Sequence, residues 1–337
     1  MSRMKKQQWS QGSTRTIVSV VATLVLLAVS FCIYSNQQYV VDWVNYRQFT
    51  PSAEIARMAE RTTMTDTGTF YFYASKPSIE SATTFNASCD RKESGSAILG
   101  CYTNNVIYIY NIKNEQLDGI KEVTAAHEML HAVYVRLSDS EKSHINQLLD
   151  AEYQKIKDDS GLADRMEFYQ KHEAGEESNE LHSIIATEVA TISPELEAHY
   201  RHYFTDRSAV VQLHATYVDV FAAIKAKADT LLGKLKQLGP QIETDSDTYN
   251  TSVQQLNDDI KRFNARATAG EFVSRAEFDN QRTTLVARST AIDSERARIQ
   301  RNVEQYETLR QEYNATAATS NELYKSIDSN LAPSPSV

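Results

Sequence analysis

The chain has 337 residues, 41% of them hydrophobic and 23% charged, with a formal net charge of −9. That length calls for more than one structural unit. Lys and Arg form no long block outside the N-terminus, so the electrostatic footprint of a nucleic-acid binder is missing and no nucleic-acid partner is expected.

Residues 16–35 are uncharged and long enough to cross a bilayer as a helix. Arg3, Lys5, Lys6 and Arg15 precede them. The positive-inside rule then keeps residues 1–15 in the cytoplasm and sends everything after about residue 36 outside the cell membrane. A cleaved signal peptide would want a shorter apolar core and an A-x-A-like site. A lipoprotein at Cys32 is disfavoured by the bulky Phe31 before it. The expectation is a retained, single-pass anchor.

Residues 36–62 read as a linker and an entry helix beginning near Ser52. The aromatic run Thr69–Ala74 predicts a strand, and residues 105–111, bounded by Asn105 and Asn111, predict another. Between them stand Cys89 and Cys101. Outside the cytoplasm two lone cysteines this close should pair, and closing so short a loop adds on the order of 3 kcal/mol. Zinc ligation by the two would leave that site two ligands short.

Residues 123–133, V-T-A-A-H-E-M-L-H-A-V, contain H-E-x-x-H at His127, Glu128 and His131. On a helix, positions i and i+4 share one face, so two imidazoles can take two sites of a tetrahedral zinc, with the Glu reaching a water there as general base. The bare pattern turns up by chance in on the order of one chain in a hundred. Here its neighbours are all uncharged, without Pro or Gly, as a buried metal helix needs. The competing interpretation is a core helix with two satisfied histidines and a surface Glu.

The pattern predicts a helix over about 120–137. Ser138 and Glu141 then make a capping box that opens a helix to about residue 157. Residues 158–179, polar and acidic, read as a mobile loop. A helix follows over 179–189, with Glu180, Ile184 and Glu188 on one face. The third ligand that a catalytic zinc wants is sought there, among Glu180, Glu188 and His182. Pro194 ends this helix or opens the next. A donor for an oxyanion is sought in the stretch after it, at Tyr200, His202 or Tyr203, although a half-buried surface role is the ordinary fate of a tyrosine in such a place.

Over about Gly119 to Phe204 these residues resemble the zincin metallopeptidases, and the Asn-Glu pair with Ser183 three residues beyond Glu180 resembles the N-E-x-x-S core of the gluzincin branch. The resemblance implies zinc as cofactor and a peptide or protein substrate. It makes His127, His131 and Glu180 the zinc ligands and Glu128 the general base; Tyr203 is taken as the catalytic donor from its place after the Glu helix. Zincins commonly carry a small sheet whose edge lies over the cleft, and residues 105–111 are a candidate for that edge, which the sequence does not decide. One departure stands out: where the branch has an Asp to orient a ligand His, this chain has Ile184.

The last third changes character. Phe221, Ala228, Leu235, Ile242, Tyr249, Leu256 and Phe263 recur at seven, as do Phe278, Leu285, Ile292, Ile299, Tyr306 and Tyr313. This predicts an antiparallel coiled-coil hairpin pairing Phe263 with Phe278, Leu256 with Leu285 and Ile242 with Ile299. The register survives Gly239-Pro240, so each arm is kept whole, at about 65 Å. Ser252, Asp245 and Ser320 at seam positions make it a marginal coil, a spacer or a surface for self-association or a protein partner.

The expected fold is α+β, mostly α. It comprises an anchor at 16–35, a linker at 36–62, a zincin-like domain at 63–207, a coiled-coil hairpin at 208–328 and a disordered tail at 329–337. The expected function is a membrane-anchored, extracytoplasmic zinc metallopeptidase. Its rivals are a non-enzymatic anchored scaffold with a structural or degenerate zinc site, and a zinc hydrolase acting on cell-wall material or lipid.

Overall fold

The computed structural model describes residues 11–89, 97–158, 160–172 and 175–331. Among these residues the chain is mostly helical, with one three-stranded sheet. Most of residues 1–15 and 332–337, on which the cytoplasmic segment and most of the disordered tail were expected, lie outside the described residues, as do residues 90–96 of the loop between the cysteines. Two units form: one runs through Tyr217 and takes in the chain again from Ser326, the other is Val218–Lys325.

Helix α1, Gln11–Ser35, contains the apolar stretch Ile17–Ser35, of mean hydropathy 2.6, long and apolar enough to cross a membrane. One residue, Asn36, separates it from α2, Gln37–Gln48. Ser52 caps α3, Ala53–Arg61, by accepting from the Ile55 amide.

The aromatic run expected as a strand is helix α4, Asp66–Ala74. Its N-cap is Thr65, which accepts from the Gly68 amide at 3.1 Å. Partners on several sides decide the matter. Phe72 is fully buried, Phe70 meets Tyr39 and Tyr46, Tyr71 meets Tyr203, and Tyr73 meets Phe49. A two-sided strand would present these rings alternately to two faces only; tertiary packing overrides the β preference of the aromatics. At Gly68 a Cβ would stand 2.4 Å from the Tyr203 carbonyl oxygen, so only glycine lets α4 approach so closely.

The sheet has order β1-β3-β2, with β1 at Ser78–Glu80, β2 at Gly100–Thr103 and β3 at Val106–Tyr110. The expected strand at 105–111 is therefore present, but it is the central strand and not an edge. The three residues of β1 carry too short a pattern to announce themselves. β1 runs parallel to β3 and β2 antiparallel to it. Asn104 and Asn105, at φ 51° and 61°, form the two-residue turn between β2 and β3, which needs left-handed backbone at both places. Helix α5, Ala82–Ser88, leads to Cys89, and the Cys89–Cys101 disulfide ties its end to β2.

Helix α6, Ile120–Arg136, is the H-E-x-x-H helix. Helix α7, Asp139–Ile156, opens on the expected Ser138–Glu141 capping box. Residues 160–172, expected within a mobile loop, form helix α8, Ser160–His172. Leu162 and Met166, four apart, bury themselves in the core, and Arg165 between them pairs with Glu188, so the polar composition hides one apolar stripe. Helix α9 is Glu177–Glu188, and Pro194 opens α10, Pro194–Tyr200.

Helices α11, Arg207–Ala269, and α12, Arg275–Ile327, follow, with Pro240 inside α11. Within Val218–Lys325 the contacts between them run in opposite order: Phe221 with Tyr324, Asp245 with Arg298, Asp259 with Arg288, Phe263 with Phe278. Residues 329–331, expected in the disordered tail, are anchored instead. Ser329 donates to the Asn86 side-chain oxygen at 2.5 Å, and the Asn86 amide donates back to the Ser329 carbonyl.

The disulfide closes a separation of 12 residues at the strand that borders α6. The double variant Cys89→Ser, Cys101→Ser is expected to lose about 3 kcal/mol of stability, read as a lower thermal midpoint of the purified protein. An unchanged midpoint would remove the disulfide from the account.

Candidate metal centre

Helix α6 owes its place to its apolar residues. Ala125, Ala126, Met129, Leu130, Ala132 and Val133 are all buried, and α9 packs along it. With those positions taken inward, His127 and His131, four apart, project together, their ring centroids 4.7 Å apart. Facing them from α9 is Glu180. Its carboxylate forks across the pair: one oxygen lies 3.4 Å from His127 Nε2, the other 3.4 Å from His131 Nε2. The three donor atoms lie within 4.8 Å of one another, the one such group of metal-ligating side chains among the described residues.

His131 is fixed from behind. Its Nδ1 lies 3.0 Å from Asn179 Oδ1, and Asn179 Nδ2 donates to Glu176 at 3.0 Å. The Glu176 carboxylate accepts only, so it turns the amide oxygen toward His131. The imidazole then donates through Nδ1 and leaves Nε2 for a metal. Asn179 is thus the residue that orients His131. The sequence signal was the Asn beside Glu180, whose neighbour on α6 could not be named from spacing.

Electrostatics bind the cluster. Burial works to lower His131, but the Glu180 carboxylate beside it outweighs this and raises it to about 9. Burial would raise Glu180, yet the His131 and His127 rings hold it well below the carboxylate range. Two imidazoles and one carboxylate, their donor atoms within 4.8 Å of one another, make a set that could hold a metal ion.

Glu128 lies beside them and is buried, with Oε2 lacking any hydrogen-bond partner. Burial raises its pKa, against the pull of His131 and His127. A buried carboxylate oxygen left without a partner is costly unless something absent from the protein chain meets it. The strand β2 presses on this side chain: a Cβ at Gly100 would stand 2.8 Å from Glu128 Oε1 and 2.5 Å from the Thr124 methyl. Gly100 is therefore a site residue, one that composition alone does not mark.

The other candidates are engaged elsewhere. Glu188 takes a two-pronged bond from Arg165 at 2.9 and 2.7 Å, with His214 Nε2 at 3.6 Å. His182 is fully buried, its Nε2 2.9 Å from His199 Nε2. Tyr200 donates to the His182 carbonyl at 2.8 Å. Tyr203 packs against Tyr71, His199 and His202, and with His202 lines a pocket of about 450 Å³ that none of the cluster residues enters. The structure thus does not bring Tyr203 to the cluster. Arg165 and Glu188 do feel it, Arg165 through Glu180 and Glu188 through His127. With His214, which lies 3.6 Å from Glu188, and Tyr217, whose ring lies 5.2 Å from that of His214, they form a polar group.

Compared with known proteins, the chain matches no family model, no curated protein and no solved structure.

Because His131 stays protonated up to about pH 9, a metal entering at pH 7.5 must displace its proton. Calorimetry of zinc binding in buffers of differing ionisation enthalpy should show about one proton released per zinc, with affinity falling as pH is lowered. Release of no proton would contradict the assignment. Removing the orienting amide, Asn179→Ala, is expected to weaken zinc binding about 10- to 100-fold. Asn179→Asp, which keeps an acceptor for Nδ1, should retain it.

Proposed function

We propose that this chain is a membrane-anchored zinc metallopeptidase of the zincin type, gluzincin branch, with its metal domain outside the cytoplasm. The observation that carries the reading is the Glu180 carboxylate forked between His127 Nε2 and His131 Nε2, with the unpartnered Glu128 oxygen beside it. His127, His131 and Glu180 hold the zinc. When bound, it supplies Lewis acidity, bringing a water's pKa toward neutrality and polarising a carbonyl.

The protein's own groups do the rest. Glu128 takes the proton of the attacking water and delivers it to the leaving amine, and its burial suits it to hold that proton between the two steps. Asn179 keeps His131 in the binding tautomer. An extended peptide adding to the free edge of β2 would run past Gly100, against which Glu128 packs.

The membrane reading rests on the apolar stretch Ile17–Ser35, preceded by basic residues, and the disulfide agrees with an oxidising compartment. The two long helices, with sevenfold apolar spacing and opposed contacts, are an antiparallel coiled-coil hairpin serving as a spacer or partner surface. Their length favours the rival reading of a non-enzymatic scaffold with a structural zinc. That reading leaves the buried, unpartnered Glu128 without a purpose.

Full-length protein carrying Glu128→Gln is expected to keep one zinc by metal analysis while peptide cleavage falls about 10²- to 10⁴-fold. Undiminished cleavage would remove Glu128 as the base. Zinc content unaffected by His127→Ala would overturn the metal site itself.

A further inference from the structure

Helix α2 begins two residues after the apolar stretch ends, across Asn36 alone. It is not an ordinary linker. Its inner face is fastened to the metal domain. Asp42, almost fully buried, takes a two-pronged bond from Arg136 at 2.7 Å to each oxygen. Arg136 is the last residue of α6, and it also donates to Tyr102 on β2 at 2.7 Å. Tyr39 and Tyr46 on the same face meet Phe70 of α4.

The opposite face is uncovered and apolar in its middle, with Gln37 at one end and Arg47 and Gln48 at the other. Val40, Val41, Trp43 and Val44 are 40%, 48%, 50% and 38% exposed. Arg47 sits over the Trp43 ring at 5.8 Å. A soluble surface rarely gathers this much apolar area on one short helix. Trp and Arg beside aliphatic residues are the composition of a headgroup boundary, where an indole lies at the interface and a guanidinium reaches the phosphates.

Chain length says what covers this face. The stretch Ile17–Ser35 has 19 residues, about 28 Å of helix against a hydrocarbon core of about 30 Å. If it crosses the bilayer, the span is used up where it ends, and α2 starts in the headgroup layer. We propose that α2 is an interfacial helix whose outer face, Val40, Val41, Trp43 and Val44, is seated in the outer headgroup layer of the bilayer. The Asp42–Arg136 ion pair then couples that seat to the metal helix. From Arg136 to His131 is five residues, about 7.5 Å along the helix axis, so the cluster is held close to the lipid surface. The inference rests on the membrane span and not on zinc or on peptidase activity.

Trp9 and Trp43 are the chain's two tryptophans, so Trp9→Phe leaves Trp43 as the reporter. The full-length variant is reconstituted into phosphatidylcholine vesicles brominated either near the headgroup end or near the tail end of the acyl chains. The expected result is blue-shifted Trp43 emission, with a large loss from shallow bromines and a small loss from deep ones. Water-like emission unaffected by either lipid would overturn the proposal, as α2 would stand clear of the bilayer. Stronger loss from deep bromines would make α2 part of the span. Blue-shifted emission untouched by both would mean that a second copy of the chain covers the face.

Discussion

The packing of α9 along α6 is the constraint on which the rest depends. It lays the Glu180 carboxylate across two imidazoles that sit four residues apart on α6, and it sets Asn179 behind one of them. Neither helix could bring these groups together alone. The buried aliphatic residues of both elements stabilise the contact, and that burial offsets the cost of desolvating two histidines and two carboxylates in one place. The cluster is coherent only as a set: each charge is tolerable because the others are there.

Around it the structure adds rigid supports. β2 presses Gly100 against Glu128, the disulfide holds β2 to α5, and Arg165 holds Glu188 in a two-pronged bond. Arg136 runs from the end of α6 to Asp42 on α2, and its guanidinium lies over the rings of Tyr71 and Tyr102. A buried pair of this kind adds little net stability, but it fixes a unique geometry between the elements that it joins. Here it joins the H-E-x-x-H helix to the helix that follows the apolar stretch.

What could be read in the sequence was local and periodic. The H-E-x-x-H helix, the Ser138 capping box, the pairing of Cys89 with Cys101 and the strand at 105–111 each announce themselves within a dozen residues. What could not be read was decided by tertiary contact. Thr69–Ala74 looks like a strand until its rings find partners on several sides and make it α4. Residues 160–172 look like an acidic loop until Leu162 and Met166 find the core. Asn179 looks like part of a motif, and only the packing of α9 on α6 sets it beside His131. Tyr203 stands close after the Glu180 helix in the chain, whereas in space its ring neighbours are Tyr71, His199 and His202.

The central claim is that His127, His131 and Glu180 hold a zinc with one position left open. X-ray absorption at the zinc edge of the purified full-length protein measures this directly. The account predicts a first shell of nitrogen and oxygen only at about 2.0–2.1 Å, with two imidazoles and no sulfur. Loss of that signal in Glu180→Ala should accompany it. A shell containing sulfur, a third imidazole, or a spectrum unchanged in Glu180→Ala would contradict the account.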